Sequence, residues 1–142
     1  MENPKINSHI FTHQGLVENP NDYWWDSEQS YPCSQQTIIP YSALQQVEQY
    51  AGAFVTPNDN IDFADIVALK LIAVIFNPFT DGRGFSLAKL LRQQGYNGNL
   101  RASGIIADQM VYAKRCGFDQ FELAQDGSLT DTFSDLPASY NH

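Results

Sequence analysis

Six residues, LIAVIF at 71–76, restrict the fold more than any other stretch of this 142-residue chain. They are apolar without alternation, the pattern of a strand covered on both faces, and burial on both faces is characteristic of a central parallel strand. The run is far too short to cross a bilayer, so the protein's own elements must cover it. Short apolar runs and amphipathic segments alternate around it. AFVTP at 53–57 reads as a strand, and Asp59 or Asn60 opens a helix through DFADIVAL. The helix after TDGRGFS places Leu87, Ala88, Leu90 and Leu91 on one side and stops at Gly95. NLRAS at 99–103 gives a further strand. IADQMVYAKRCG gives a helix with Ile106, Met110 and Ala113 along one stripe and Gly117 as its end, and FDQFEL at 118–123 gives a last strand. Upstream, TIIPYSALQQVEQYAG predicts a short apolar entry and a helix capped by Ser42, with apolar residues at 44, 47 and 50 before Gly52.

Strand and helix in alternation with short connections imply parallel pairing through right-handed crossovers. The fold class expected is α/β, with about four parallel strands in βα units. They form either a half-barrel that curves or a small doubly wound layer, and a sequential strand order would select the half-barrel. Residues 1–36 form an irregular or short-strand N-terminal arm, in which the aromatic cluster DYWWD at 22–26 supplies apolar area to pin the arm on the domain. Residues 37–123 are the α/β domain, and 124–142 an acidic polar tail. Open strand edges on a half-barrel would favour a homodimer.

The formal net charge of −8 conceals an uneven distribution. Residues 70–115 hold seven of the eight basic residues and only Asp81 and Asp108 as acids. An acidic chain with one basic unit is a poor partner for nucleic acid, because long-range repulsion opposes the phosphate backbone, yet it can hold one small anion in a focused spot. Lys70, Lys89, Arg92, Lys114 and Arg115 read as solvated helix faces. The first twenty residues lack a basic start and a long apolar stretch, so a cytoplasmic location is expected and no membrane partner. Cys33 and Cys116 lie far apart without metal-binding spacing, and His9 and His13 lack a third ligand, so no metal site is expected.

In either parallel architecture the carboxyl ends of the strands share one rim, toward which the following helices point free N–H groups. TDGRGFS falls there, after LIAVIF. Its Asp81, Gly82, Arg83, Gly84 and Ser86 are candidate ligand-binding residues: the glycines would let the backbone wrap an anion while Arg83 supplies charge. Ser103, Gly104, Asp108 and Gln109 are expected at the same rim after the next strand, and Thr56 with Asn58 after an earlier one. A purely structural reading stands beside this one, in which Asp81 caps the helix and Arg83 pairs with Asp81 or Asp108. Were the rim catalytic, Arg83 would hold the substrate, and Asp81 or Asp108 would handle protons. The dinucleotide fingerprint is incomplete, because Leu87 occupies its third glycine position and no acid ends the following strand, so the cofactor stays unassigned.

Three stretches in order, FTDGRGFSLAKLLR at 79–92, GNLRASGIIADQ at 98–109 and KRCGFDQFEL at 114–123, resemble the bacterial family called domain of unknown function 934. The likeness covers roughly residues 37–123, with the DYWW arm and the tail around Tyr140 more loosely similar. Its motif would single out Phe79, Asp81, Gly82, Arg83, Gly84, Ser86, Arg92, Leu100, Arg101, Gly104, Asp108, Gln109, Arg115, Cys116, Gly117, Phe118 and Asp119, without assigning roles. Members are often labelled probable oxidoreductases involved in sulfite reduction. The resemblance therefore implies a place beside a sulfite or nitrite reductase. Because the chain shows no cysteine cluster, complete dinucleotide motif or haem-ligand pattern, an accessory role that binds a small oxyanion or phosphorylated ligand fits the residues best. A cofactor-dependent oxidoreductase of sulfur assimilation and a module that docks the reductase are the alternatives.

Overall fold

The computed structural model describes residues 8–23, 34–77 and 80–124. Trp24 and Trp25 of the aromatic cluster, Cys33, Phe79 and the tail from 125, including Tyr140, lie outside the described residues. The strands are β1 (His9–Thr12), β2 (Gly15–Glu18), β3 (Asp22–Tyr23), β4 (Thr37–Pro40), β5 (Gly52–Val55), β6 (Leu71–Ile75), β7 (Asn99–Ile105) and β8 (Gln120–Leu123). The α-helices are α1 (Phe63–Ile66), α2 (Arg83–Gln93) and α3 (Met110–Cys116). All eight strands form one sheet in the order β2-β1-β8-β7-β6-β5-β4-β3. From β3 to β8 neighbours are parallel and sequential, whereas β1 pairs antiparallel with both β2 and β8.

The sequential order of the parallel strands selects the half-barrel, and a contact across the interior shows how far it curls. Tyr23 on β3 hydrogen-bonds Ser103 on β7 and Glu122 on β8. Three strands separate β3 from β7 in the sheet, about 19 Å if it were flat, so only a strongly curved sheet lets one phenol span the gap. The two edge strands, β2 and β3, are consecutive in sequence, with Asn19, Pro20 and Asn21 between them. That connection cannot exceed about 14 Å, so it draws the edges together at one mouth. The arm thus contributes three strands and the strap that nearly closes the barrel.

β6 is buried on both faces, as its unbroken apolar run requires. Ile72 and Val74 face the helices, within a core that includes Leu100, Ala102, Phe85, Ala88, Leu91 and Phe118. Leu71 and Ala73 face the interior beside Tyr23, Ile38 and Phe54. Gly104 corrects the parity of β7. The strand bulges between Ser103 and Ile105, so Ile105 joins the helix-side core with Leu100 and Ala102, while Arg101 and Ser103 keep to the interior. Gly104 adopts φ +95°, and a Cβ there would fall 2.5 Å from the Phe76 carbonyl oxygen, so both conformation and space demand glycine.

Three local expectations change. Instead of a helix over 42–51, a single 3₁₀ turn at Tyr41–Ala43 leads into successive turns. Leu44, Val47 and Tyr50 still pack on Ile39 and Ala43, so their spacing marks the core-facing side and not a helical ladder. The helix in DFADIVAL is one turn, capped by Asp62, whose side chain accepts the N–H of Ala64, and not by Asp59 or Asn60. Arg92 is no solvated face residue: it donates to the carbonyls of Gly117, Tyr96 and Gly98, tying the end of α2 to the end of α3 and the start of β7.

Candidate functional site

The carboxyl rim is built where β6 hands over to α2. Asp81 precedes the helix, and its carboxylate does two things at once. Its Oδ1 accepts the Arg83 backbone N–H at 3.1 Å, while its two oxygens accept from Arg83 Nε and Nη2, the latter at 2.7 Å. Nη1 of Arg83 donates to Asn58 Oδ1 at 3.0 Å, so the loop after β5 meets the loop after β6. The guanidinium is therefore fixed on two sides, yet the Arg83 side chain is 60% exposed. The hydrogen bonds and charge of Arg83 lower the Asp81 carboxyl to about 2, and Asp81 raises Arg83 in return. The carboxylate that the start of α2 wraps is the chain's own.

The glycines around Arg83 have different reasons. Gly84 is buried, and a Cβ on it would lie 2.5 Å from the Phe76 ring, so glycine lets the first turn of α2 pack on the end of β6. Gly82 has ordinary right-handed backbone and open space around it, and nothing in the structure explains the residue type. Ser86 stands exposed in the first turn of α2. After β7, the Gln109 side chain folds back to accept the N–H of Ile106, and Asp108 is exposed in the same 3₁₀ turn. Ser103, expected with them, instead turns its hydroxyl into the half-barrel.

That interior holds a polar cluster in which the sequence marked Ser103, as a rim residue, and Arg101, within the family motif, but not Tyr23, Gln120 or Glu122 as site residues. Tyr23 donates to Glu122 Oε1 at 2.6 Å, Ser103 donates to the same oxygen at 3.1 Å, and the two hydroxyls are 2.9 Å apart. Burial, then the Glu122 charge, pushes the Tyr23 phenol far above the ordinary range and keeps it neutral. One step along β7 toward its amino end, Arg101 is 1% exposed. Its Nε donates to Gln120 at 3.0 Å, Nη2 to Asn21 at 2.6 Å and Nη1 to Asn19 at 3.4 Å. A signal for this existed in the period of two: Leu100 and Ala102 alternate with Arg101 and Ser103, Phe121 and Leu123 alternate with Gln120 and Glu122, and the register pairs Arg101 with Gln120 and Ser103 with Glu122.

Curled, mostly parallel sheet, helices on its outer face and an arginine clamped at its carboxyl rim define an α/β half-barrel protein. The chain belongs to the family described as bacterial protein of unknown function DUF934, which matches residues 55–142. The match begins at the end of β5, later than the likeness expected from residue 37, and takes in the rim from Thr56 onward, both motif helices and the tail. No curated protein and no solved structure matches the chain. Among the described residues, no helix is long and apolar enough to cross a membrane.

Proposed function

We propose that the protein is a cytoplasmic accessory factor of assimilatory sulfite reduction, working beside the reductase and presenting Arg83 to a small oxyanion or a phosphorylated ligand at the DGRG rim. The metabolic setting rests on the family resemblance. The observation that carries the binding role is the state of Arg83, which is held in plane by Asp81 and Asn58 while most of its side chain faces solvent. A guanidinium has five N–H donors and these partners engage three, so the remaining pair faces outward to meet the oxygens of an anion. Because Asp81 already accepts at the start of α2, the anion is held by the arginine and not by the helix end. Asp81 also offsets the charge, so binding is selective by shape and modest in strength. Thermal shift of the wild type and Arg83→Gln against sulfite, sulfate and phosphate at constant ionic strength tests this. A rise with one anion that disappears in the variant supports the reading, and no rise with any of them sinks it.

A second reading has its own observation. Val111 is 68% exposed and Tyr112 49%, with Tyr112 set edge-on to Phe85 and the Lys89 ammonium over its ring. Apolar area beside a cation next to the rim suits docking on an acidic patch of the reductase. Salt-sensitive co-purification with the reductase, lost in Tyr112→Asp, would support docking in place of anion binding. A homodimer through β2 or β3 belongs to the same proposal, and sedimentation as a clean monomer at high concentration would remove it.

A further inference from the structure

The amino-terminal mouth of the half-barrel, opposite the rim, opens on a cavity of about 870 Å³. Its lining includes Leu71, Asn99 and Gln120 at the starts of three neighbouring strands, Asn21 from the strap, and Lys70 at the mouth, with Arg101 one pleat inside. Cavities of this size hold small organic molecules.

Arg101 is the unusual member. A buried charge needs a counter-charge, and a buried donor needs an acceptor. The partners of Arg101 are three amide oxygens, all neutral. Among the described residues no carboxylate lies within ion-pair distance of it. Glu122, on the same face, already accepts at Oε1 from Tyr23 and Ser103. Two of the five guanidinium N–H groups therefore have no partner among the described residues. The amides of Asn19, Asn21 and Gln120 fix the plane of the group without neutralising it. This is the arrangement expected of a side chain kept positive for a ligand.

We propose that this cavity binds a small organic carboxylate, whose two oxygens meet the free N–H groups of Arg101. A planar guanidinium fork matches a carboxylate in two parallel hydrogen bonds. The rest of the cavity sets the character of the far end. Glu18, Glu48 and Asp65 also line it, against Lys70 alone as a second cation, so a polyanion is disfavoured and a neutral or cationic far end is accepted. Zwitterionic amino acids and monocarboxylates fit, and inorganic phosphate does not.

Gln120→Glu is the decisive variant, because it is isosteric and sets a permanent carboxylate at the position now 3.0 Å from Arg101 Nε. Binding of glycine, alanine, leucine, phenylalanine, acetate and phenylacetate is followed by the side-chain Nε–H resonances of the arginines, with the corresponding amides and inorganic phosphate as controls. The expected result is a shift at Arg101 with at least one carboxylate, none with its amide, and affinity weakened about thirtyfold or more in Gln120→Glu. Arg83→Gln leaves this binding unchanged, which separates the cavity from the rim. No shift at Arg101 with any carboxylate overturns the proposal, and so does binding that survives Gln120→Glu intact. A response to phosphate as strong as that to the carboxylates overturns the assigned ligand class.

Discussion

Two arginines stand at opposite ends of one half-barrel, and the protein treats them in opposite ways. Arg83 at the carboxyl rim is open to water and has a carboxylate of its own two residues away. Arg101 at the amino end is 1% exposed, at the floor of the cavity, and among the described residues its side-chain partners are amides alone. In water an ion pair contributes little, so Asp81 serves mainly to orient Arg83. In the interior, where the same charge is far more expensive, the absence of an ion-pair partner among the described residues is the more informative observation. The exposed motif draws attention in the sequence, whereas the buried residue carries the sharper chemical demand.

The contrast breaks most directly by removing each arginine. Arg101→Ala removes the donor to the side-chain oxygens of Gln120 and Asn21 and empties a large buried volume, and is expected to lower stability by about 3 kcal/mol in urea denaturation. Arg83→Ala, which gives up one solvent-screened pair, should shift the denaturation midpoint far less. Equal losses at the two sites would end the distinction between them.

Tyr23→Phe sharpens the interior side. It removes the shortest bond to a buried carboxylate, for an expected loss of about 2 kcal/mol. The pH dependence has a definite sign. Folding raises the Tyr23 pKa above its ordinary value of 10.0, so its contribution is complete below pH 10.0 and declines as pH rises toward the folded value. The wild type should therefore lose more stability than Tyr23→Phe in alkaline denaturation.

Gly84→Ala tests whether the rim glycines serve packing or a ligand. Driving a methyl into the Phe76 ring should cost about 1–2 kcal/mol, whereas Gly82→Ala, with open space, should cost much less. Similar behaviour at both positions would remove the packing explanation for Gly84.

The smallest effect is at Asp81. Its carboxyl should titrate near 2 by NMR and return toward 3.8 in Arg83→Gln. A lowered carboxyl contributes stability above the ordinary value, lost as pH falls through about 2. A wild-type midpoint near 3.8 would mean that the Asp81–Arg83 pair is not formed in solution.

Local pattern made much of this molecule legible. LIAVIF declared a strand buried on both faces, and Gly95 and Gly117 end their helices in left-handed backbone, as their positions suggested. The ion pair expected of Asp81 and Arg83 is found, because partners two residues apart need only a turn to meet; Gly82, not Asp81, holds the cap position of α2, and Asp81 accepts the Arg83 N–H from one residue before it. The expected helix over 42–51 failed for a related reason: apolar spacing reports which residues face the core, and successive turns against Ile39 and Ala43 meet that requirement without a helical hydrogen-bond ladder.

What only the tertiary structure decided is everything that depends on closing the sheet. β1 finds β8 more than a hundred residues away, and Tyr23 finds Glu122 across the interior; no local period encodes such pairings. The alternation in NLRAS and FDQFEL put Arg101, Ser103, Gln120 and Glu122 on one face, but whether that face met water depended on curvature accumulated over eight strands and on the strap at 19–21. The sequence by itself determined the elements and their class, because these follow from short-range backbone and packing preferences. The long-range curl decided which charge is buried, because burial depends on all the strands together.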